Sequence, residues 1–409
     1  MKIGLIAPGI WNSIHLDTAR AWSELGHDVA IYTEDARAPS GASFTRLREG
    51  RLDFFVIHHE RRNPWTWLID RLVKPWLGRR FFTTLVAIAR YLRATRDCDV
   101  YFVEGDWIGY FVLICARFMR FRWIVSIHDP DYLRIRLPFP GRPHSAWREG
   151  VKLRVLAGAD LVRANSLVTR DVLVEGGCDA SRIRVVPLHV TGWMRVDDIA
   201  DMAAFKARSR AEVFATHGIA AGDKLLITMC RLVPVKGLDL AVRAFARAVR
   251  QRLGLRLMIC GGDRVIAGTG SYRAQLERIA AAEGVAERVI FTGNIDIREV
   301  KRYLAAANLH LAPSVIDTFN YGAVEAALVH THTLGSDMVG AGPWVRDAGA
   351  ATIVAGRDAD RWGEAIAAFV NDADRPPSSG AIVATLAPPR IAAMLAELAR
   401  EVVAARPVK

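Results

Sequence analysis

MKIGLIAPGIWNSIHLDTARAWSELGHDVAIY, residues 1–32, is the stretch that decides the fold. Lys2–Ala7 is a short apolar run suited to a parallel strand buried on both faces, and Pro8-Gly9 breaks it. Ser13 is placed to cap a helix in which Leu16, Ala19, Trp22 and Leu25 recur at helical spacing. Gly26 stands where a left-handed C-terminal residue is wanted, and His27-Asp28 leads into a second strand, Val29–Tyr32. Further strands are expected at Leu52–His58, Asp99–Val103, Trp123–Ile127, Asp160–Ala164 and Arg184–Val186, mostly separated by helical patterns. Such alternation predicts a mostly parallel sheet covered by helices.

A second series of the same kind begins after the polar, Gly-containing stretch Thr191–Gly222. Its strands are expected at Leu225–Met229, Leu255–Cys260, Arg288–Thr292, Leu309–Ala312 and Thr333–Ser336, with helices at Gly237–Arg252, Tyr272–Glu283, Ile297–Ala306 and Tyr321–Val329. A chain of 409 residues exceeds what one core usually organises. The expected layout is an N-terminal domain over 1–190, a linker over 191–222, a C-terminal domain over 223–385 and a last helix within 386–409, after the loop Arg375–Gly380.

No apolar stretch reaches the roughly 18 uncharged residues of a membrane span, and the first residues read as a buried strand rather than an export signal. The five cysteines are scattered without a CxxC pair, which suits a reducing compartment. Both readings place the protein in the cytoplasm. The net charge is +12, and residues 1–190 carry 28 Lys and Arg against 20 Asp and Glu. That excess suits an anionic partner on the first domain, and equally an Arg-rich surface that serves solubility.

Chemistry is concentrated in two stretches. In Thr228-Met-Cys-Arg-Leu-Val-Pro-Val-Lys-Gly237 a strand ends and leaves Arg231 and Lys236 in the loop before a helix. That loop lies at the carboxyl edge where open α/β sheets bind ligands, and two cations beside a helix N-terminus suit a diphosphate. In Ala312-Pro-Ser-Val-Ile-Asp-Thr-Phe-Asn-Tyr-Gly-Ala-Val-Glu325 one carboxylate, Asp317, falls in a loop and the other, Glu325, about one turn into a helix. Asp317 can grip sugar hydroxyls and Glu325 both hydroxyls of a ribose, while the backbone of Asn320, Tyr321 and Gly322 faces a phosphate. Alternatively, Asp317 is simply the N-cap of that helix.

These stretches, with Cys260-Gly-Gly262, Glu287–Gly293, Ala306–Ser314, Ser13-Ile-His15 and Leu25–Val29 in order, resemble the retaining glycosyltransferases of family 4. The resemblance implies the GT-B fold: two Rossmann-like α/β domains facing each other across a cleft. It implies that Arg231 and Lys236 neutralise the donor diphosphate, Glu325 holds the ribose and Asp317 the donor sugar. Val289 or Ile290 would offer backbone contacts to the base, Gly9 would let the donor approach the first loop, and His128 would sit beside the transferred sugar. It implies a nucleotide-sugar co-substrate, UDP- or GDP-linked, and no further cofactor or metal. A glycan or lipid-linked acceptor would receive the sugar with retention of configuration, in cell-surface polysaccharide or glycolipid synthesis. A sugar-nucleotide epimerase or hydrolase of the same fold, or an inactive nucleotide-binding paralogue, are the alternatives. This chain departs from the family at Asp317 for Glu, Asn320 for Gly, Cys230 for Gly and His330-Thr-His332 for Gly-Thr-Pro.

Asp129-Pro-Asp131 has the spacing of a metal-binding pair, but the same spacing recurs at Asp97/Asp99, Asp358/Asp360 and Asp372/Asp374. His330-x-His332 lacks a third zinc ligand. The segment Arg61–Phe82 holds six cations, one acid and Trp65, Trp67 and Trp76. It is read either as a docking face for the inner side of an anionic membrane or as a helix packed on its own domain, and nucleic acid is not an expected partner.

Overall fold

A computed structural model describes residues 1–9, 14–35, 44–58, 68–72, 81–128, 146–251, 254–263, 265–266, 270–372 and 381–405. They form two compact units, one of residues up to Thr191 with those from Ala387 onward, the other Gly192–Leu386. Ser13, Asp129-Pro-Asp131, Arg375–Gly380 and most of Arg61–Phe82 lie outside the described residues.

The first unit is built on β1 (Lys2–Ile6), β2 (Asp28–Asp35), β3 (Phe44–Glu49), β4 (Leu52–His58), β5 (Val100–Glu104), β6 (Trp123–Ile127), β7 (Leu161–Ala164) and β8 (Ile183–Val185). Their order is β3-β4-β2-β1-β5-β6-β7-β8, parallel throughout except for the antiparallel β3–β4 pair. Chain order reverses at β1, which pairs with β2 on one side and β5 on the other. The crevice outside the carboxyl ends of such neighbouring strands is where open sheets take ligands.

The second unit contains β9 (Lys224–Met229), β10 (Leu255–Cys260), the hairpin β11 (Val265–Ile266) and β12 (Gly270–Ser271), then β13 (Val289–Gly293), β14 (Leu309–Ala312), β15 (Thr333–Ser336) and β16 (Ala351–Val354). Its main sheet runs β13-β10-β9-β14-β15-β16, so the switch point lies between β9 and β14. Successive residues of β9 feed opposite faces, as the two-residue period of a strand demands. Leu226 packs with Leu257, Ile259, Phe245 and Trp362 on one face. Leu225 and Ile227 pack with Met258, Phe214 and Leu304 on the other.

Two segments sit differently from the expected layout. The stretch read as a linker contains the helix Met202–His217, capped by Asp201 and by left-handed Gly218, and belongs to the second unit. Arg210 anchors it by donating to Asn308 Oδ1 at 3.0 Å and to the Asp223 carbonyl at 2.6 Å. The last helix, Pro388–Ala404, rejoins the first unit. Trp22, wholly buried, donates its indole N–H to the Ala392 carbonyl at 2.9 Å, and Arg184 meets Glu401. The run Ile382–Ala404 is long and apolar enough to cross a membrane by length and composition, yet Ile391, Leu395, Ala399 and Val402 are buried in the fold. Its hydropathy is that of a core helix.

Candidate active site

The β9 loop is shaped by one glycine. Residues Pro234–Lys236 make a short 3-10 turn that ends at Gly237, with φ at 67°, and a Cβ there would collide with the Pro313 carbonyl. Only glycine allows both the left-handed backbone and this approach. The approach brings the loops after β9 and β14 together, and Val315 N–H donates to the Val235 carbonyl at 2.9 Å. Lys236 Nζ consequently lies 2.5 Å from Asp317 Oδ2, with both side chains largely buried. Asp317 is held in turn by the loop after β15, through Asp317 N–H to Met338 O at 2.9 Å and Gly340 N–H to Asp317 O at 2.8 Å. Arg231 stands exposed on the same loop and makes no ion pair among the described residues. A fixed ammonium–carboxylate pair beside an unspent guanidinium offers charge to an anion without rearrangement.

Asn320, not Asp317, caps the helix Tyr321–Leu328. Its Oδ1 accepts from Ala323 N–H at 2.9 Å, and its backbone is left-handed with φ at 70°. A glycine would suit this position, and asparagine is the side-chain-bearing residue that best tolerates it. A Cβ on Gly322 would come within 2.9 Å of the Met229 carbonyl, so the start of this helix is seated against the end of β9. The helix's other end is closed by Lys206, which donates to Val329 O at 3.1 Å, His330 O at 3.2 Å and Thr331 Oγ1 at 2.8 Å. An ammonium at a helix C-terminus satisfies orphan carbonyls and complements the dipole. His330 takes φ of 57°, and His332 turns away to bond Thr352 Oγ1 and stack on Phe369. The two histidines therefore serve separate structural contacts.

Glu325 is half-buried on the same helix, and burial lifts its carboxyl from the usual 4.5 to about 7. Trp193 donates a hydrogen bond to it, a partner that the sequence reading missed. Val289 and Ile290 are half-buried in the edge strand β13. The structure thus brings Arg231, Lys236, Asp317, Asn320, Tyr321, Gly322, Glu325, Val289 and Ile290 into the second unit. Gly9 and His128 belong to the first.

Gly9 is exposed just beyond β1, and a Cβ there would meet nothing within 4 Å. Among the described residues nothing packs closely enough to require a glycine at this point. His128 follows β6 directly, and its Nε2 lies 2.6 Å from Oε2 of Glu104 at the end of β5. His15, in the first turn of the helix Ile14–Glu24, brings its Nδ1 to 3.6 Å from the same oxygen. Burial pushes the His15 pKa down to about 4. Burial also works against an ionised Glu104, but the coupling to the histidines, with the hydrogen bond from His128, and the Arg163 charge outweigh it and hold that carboxyl well below the usual carboxylate range. Glu104 also went unread in the sequence, although a lone carboxylate closing an apolar strand is the signal that could have found it.

With this geometry in hand, comparison with known proteins is decisive. The model described as Glycosyltransferase Family 4 matches residues 14–191, and that described as Glycosyl transferases group 1 matches residues 209–379. The chain belongs to the family 4 glycosyltransferases. A D-inositol 3-phosphate glycosyltransferase of Nocardia farcinica is 32% identical over 237 residues, 57% of this chain and 50% of that protein. A D-inositol 3-phosphate glycosyltransferase 1 of Catenulispora acidiphila is 27% identical over 370 residues, 88% of this chain and 82% of its own. The chain thus spans about half the length of the first of these curated relatives and more of the second. Among solved structures, sucrose-phosphate synthase from Thermosynechococcus elongatus superposes with a TM-score of 0.67 at 19% identity, covering 99% of this chain and 100% of that one. Anabaena HepE in complex with UDP and glucose gives 0.67 at 15% identity, covering 98% and 100%. The fold of this family 4 chain is GT-B.

Proposed function

We propose that this protein transfers a sugar from a UDP- or GDP-sugar to a glycan or lipid-linked acceptor, with retention of anomeric configuration and without a required metal. The observation that carries the reading is the Lys236–Asp317 contact at 2.5 Å, placed beside Arg231 and beside a helix start seated on β9. In this reading the donor diphosphate draws Arg231 and Lys236 to itself, and charge that builds on the leaving group is met by groups already in place. Asp317, relieved of part of its claim on Lys236, accepts hydroxyl protons of the donor sugar. Glu325 takes the ribose, the backbone at Val289 or Ile290 the base, and Tyr321 and Gly322 a phosphate. Gly9 leaves room for the donor, and His128, oriented by Glu104, contacts the transferred sugar.

UDP is favoured because HepE holds UDP and glucose and a trehalose-6-phosphate enzyme from Escherichia coli holds UDP-2-fluoro glucose. The names of the curated relatives add a phosphorylated polyol to the acceptors worth testing. We place the protein in the cytoplasm in cell-surface polysaccharide or glycolipid synthesis, with Arg61–Phe82 docking on the inner face of the membrane. Two features support docking. Leu72 is 69% exposed, and Asp70, the segment's lone acid, is buried and spent on Phe82 N–H and Thr83.

A thermal-shift screen against UDP-, GDP- and ADP-sugars tests the donor, since a ligand at a hundred times its Kd adds about 2.7 kcal/mol to stability. Proton NMR of the product then reads the anomeric configuration and separates transfer from release of free sugar. An inverted product, or free sugar alone, would overturn the proposal.

A further inference from the structure

Three elements of the first unit converge on one carboxylate. Glu104 closes β5, His128 follows β6, and His15 opens the helix Ile14–Glu24. Ser126 Oγ donates to Glu104 Oε1 at 3.1 Å, which leaves Oε2 to face His128 Nε2 at 2.6 Å and His15 Nδ1 at 3.6 Å. These three atoms all lie within 4.8 Å of one another. Asn165 Nδ2 donates to the backbone carbonyl of His128 at 3.4 Å, and Ser126 is the outer partner that fixes the Glu104 carboxylate.

Two imidazole nitrogens and one carboxylate oxygen are the donor set of zinc sites that keep a fourth position open. Bonds of about 2.0–2.1 Å to a tetrahedral ion set its donors roughly 3.3 Å apart. The His15–Glu104 separation is within a few tenths of an ångström of that spacing, and the Glu104–His128 pair has to open by about 0.7 Å. The side chains of His15 and His128 are 20% and 28% exposed, against 6% for Glu104. An ion can reach the histidines from solvent and then meets a largely desolvated anion, which distinguishes the cluster from a surface His pair.

We propose that His15, Glu104 and His128 bind one divalent transition-metal ion, zinc being the best match, and that the bound ion blocks sugar transfer. Binding follows from the donor set alone. Blocking rests on the reading of His128 as a contact for the transferred sugar, because coordination takes up its Nε2 and fills the space in front of it. On the function proposed above transfer has no need of the ion, so the site acts as a brake and not as a catalytic centre.

The test uses the full chain stripped of metal by a chelator and dialysed. Calorimetric titration with Zn²⁺ should give one ion per chain, and Co²⁺ should develop the intense visible bands of a four-coordinate site. Glu104→Gln and His15→Asn should each weaken Zn²⁺ at least about tenfold, while His217→Asn in the second unit leaves it unchanged. Zinc should raise the melting temperature of the native chain and not that of Glu104→Gln. If Glu104→Gln does not fold, His15→Asn carries the comparison alone. Absence of binding heat and of cobalt bands, or full affinity in both variants, would overturn the site. Saturating zinc that leaves transfer untouched would overturn the brake and the His128 reading together, and leave the metal site standing.

Discussion

Replacing Glu325 by Gln should stabilise the protein above neutral pH while it weakens donor binding. In the unfolded chain this carboxyl ionises near 4.5, and in the folded chain burial raises it to about 7. As pH rises through that window the unfolded state releases its proton first, so the folded state is progressively disfavoured, and the full penalty is present above 7. A difference of 7 less 4.5, or 2.5 pH units, at 1.36 kcal/mol each gives about 3 kcal/mol. Gln keeps the shape and can still accept from Trp193, but carries no charge to desolvate. Urea denaturation at about pH 8 should therefore show the variant more stable by about 3 kcal/mol, and at about pH 5 by less than about 1 kcal/mol. Calorimetry with UDP supplies the second half. Native affinity should fall about tenfold for each pH unit below about 7, because the ribose needs an ionised acceptor, and the variant should be weaker and flat over that range. Equal pH dependence of stability in both proteins would refute the burial argument, and unaltered UDP affinity in the variant would remove Glu325 from the ribose.

Arg231→Ala or Lys236→Ala should each lower turnover by about two orders of magnitude or more, with a smaller effect on donor affinity, since diphosphate charge grows in the transition state; steady-state kinetics at saturating donor decides this. Transfer should survive EDTA, and a requirement for added manganese would contradict the two-cation phosphate site. Asn320→Gly should leave stability within about 1 kcal/mol, whereas Asn320→Val should cost roughly 1–2 kcal/mol or more from its left-handed backbone, as chemical denaturation would show. Co-sedimentation with anionic vesicles should weaken as salt rises from about 0.1 M to 1 M and disappear when Arg61, Arg62, Lys74, Arg79 and Arg80 become Glu; equal binding to neutral vesicles would refute docking.

What the sequence made legible was whatever is decided locally. Leu52–His58, Trp123–Ile127, Leu255–Cys260, Leu309–Ala312 and Thr333–Ser336 are strands at the expected bounds, and in Trp123–Ile127 and Leu255–Cys260 the signal is the mostly apolar run of a strand buried on both faces. Phe44–Glu49 was missed for the converse reason. As an edge strand paired antiparallel to β4 it needs apolar residues on one face only, and Arg46 and Glu49 hide it among loop residues. The position of Arg231 and Lys236 in the loop after β9 was readable because a strand end precedes them, and the left-handed backbone of Asn320 because the resemblance is to a family with Gly there. Trp193 and Glu104 were not readable, since each acquires its role from a partner on a different element: Glu325 far along the chain, and His15 and His128 from a helix and a neighbouring strand.

At each end of the second unit the sequence left a helix outside both domains, on the same physical ground. A polar helix reads as a tether when its anchors are invisible, yet Met202–His217 is bound by Lys206 and Arg210, whose heads meet backbone carbonyls instead of water. Burial drives the Lys206 pKa down to about 8, which is the cost of closing the helix that carries Glu325. The last helix likewise returns to the first unit through an indole N–H and a row of small apolar residues, contacts that chain order does not announce. Both ends are consequently fixed by long-range pairing. Changes in Met202–His217 that spare every group near Asp317 should still reach the donor site, through the carbonyls that Lys206 holds at the far end of its helix.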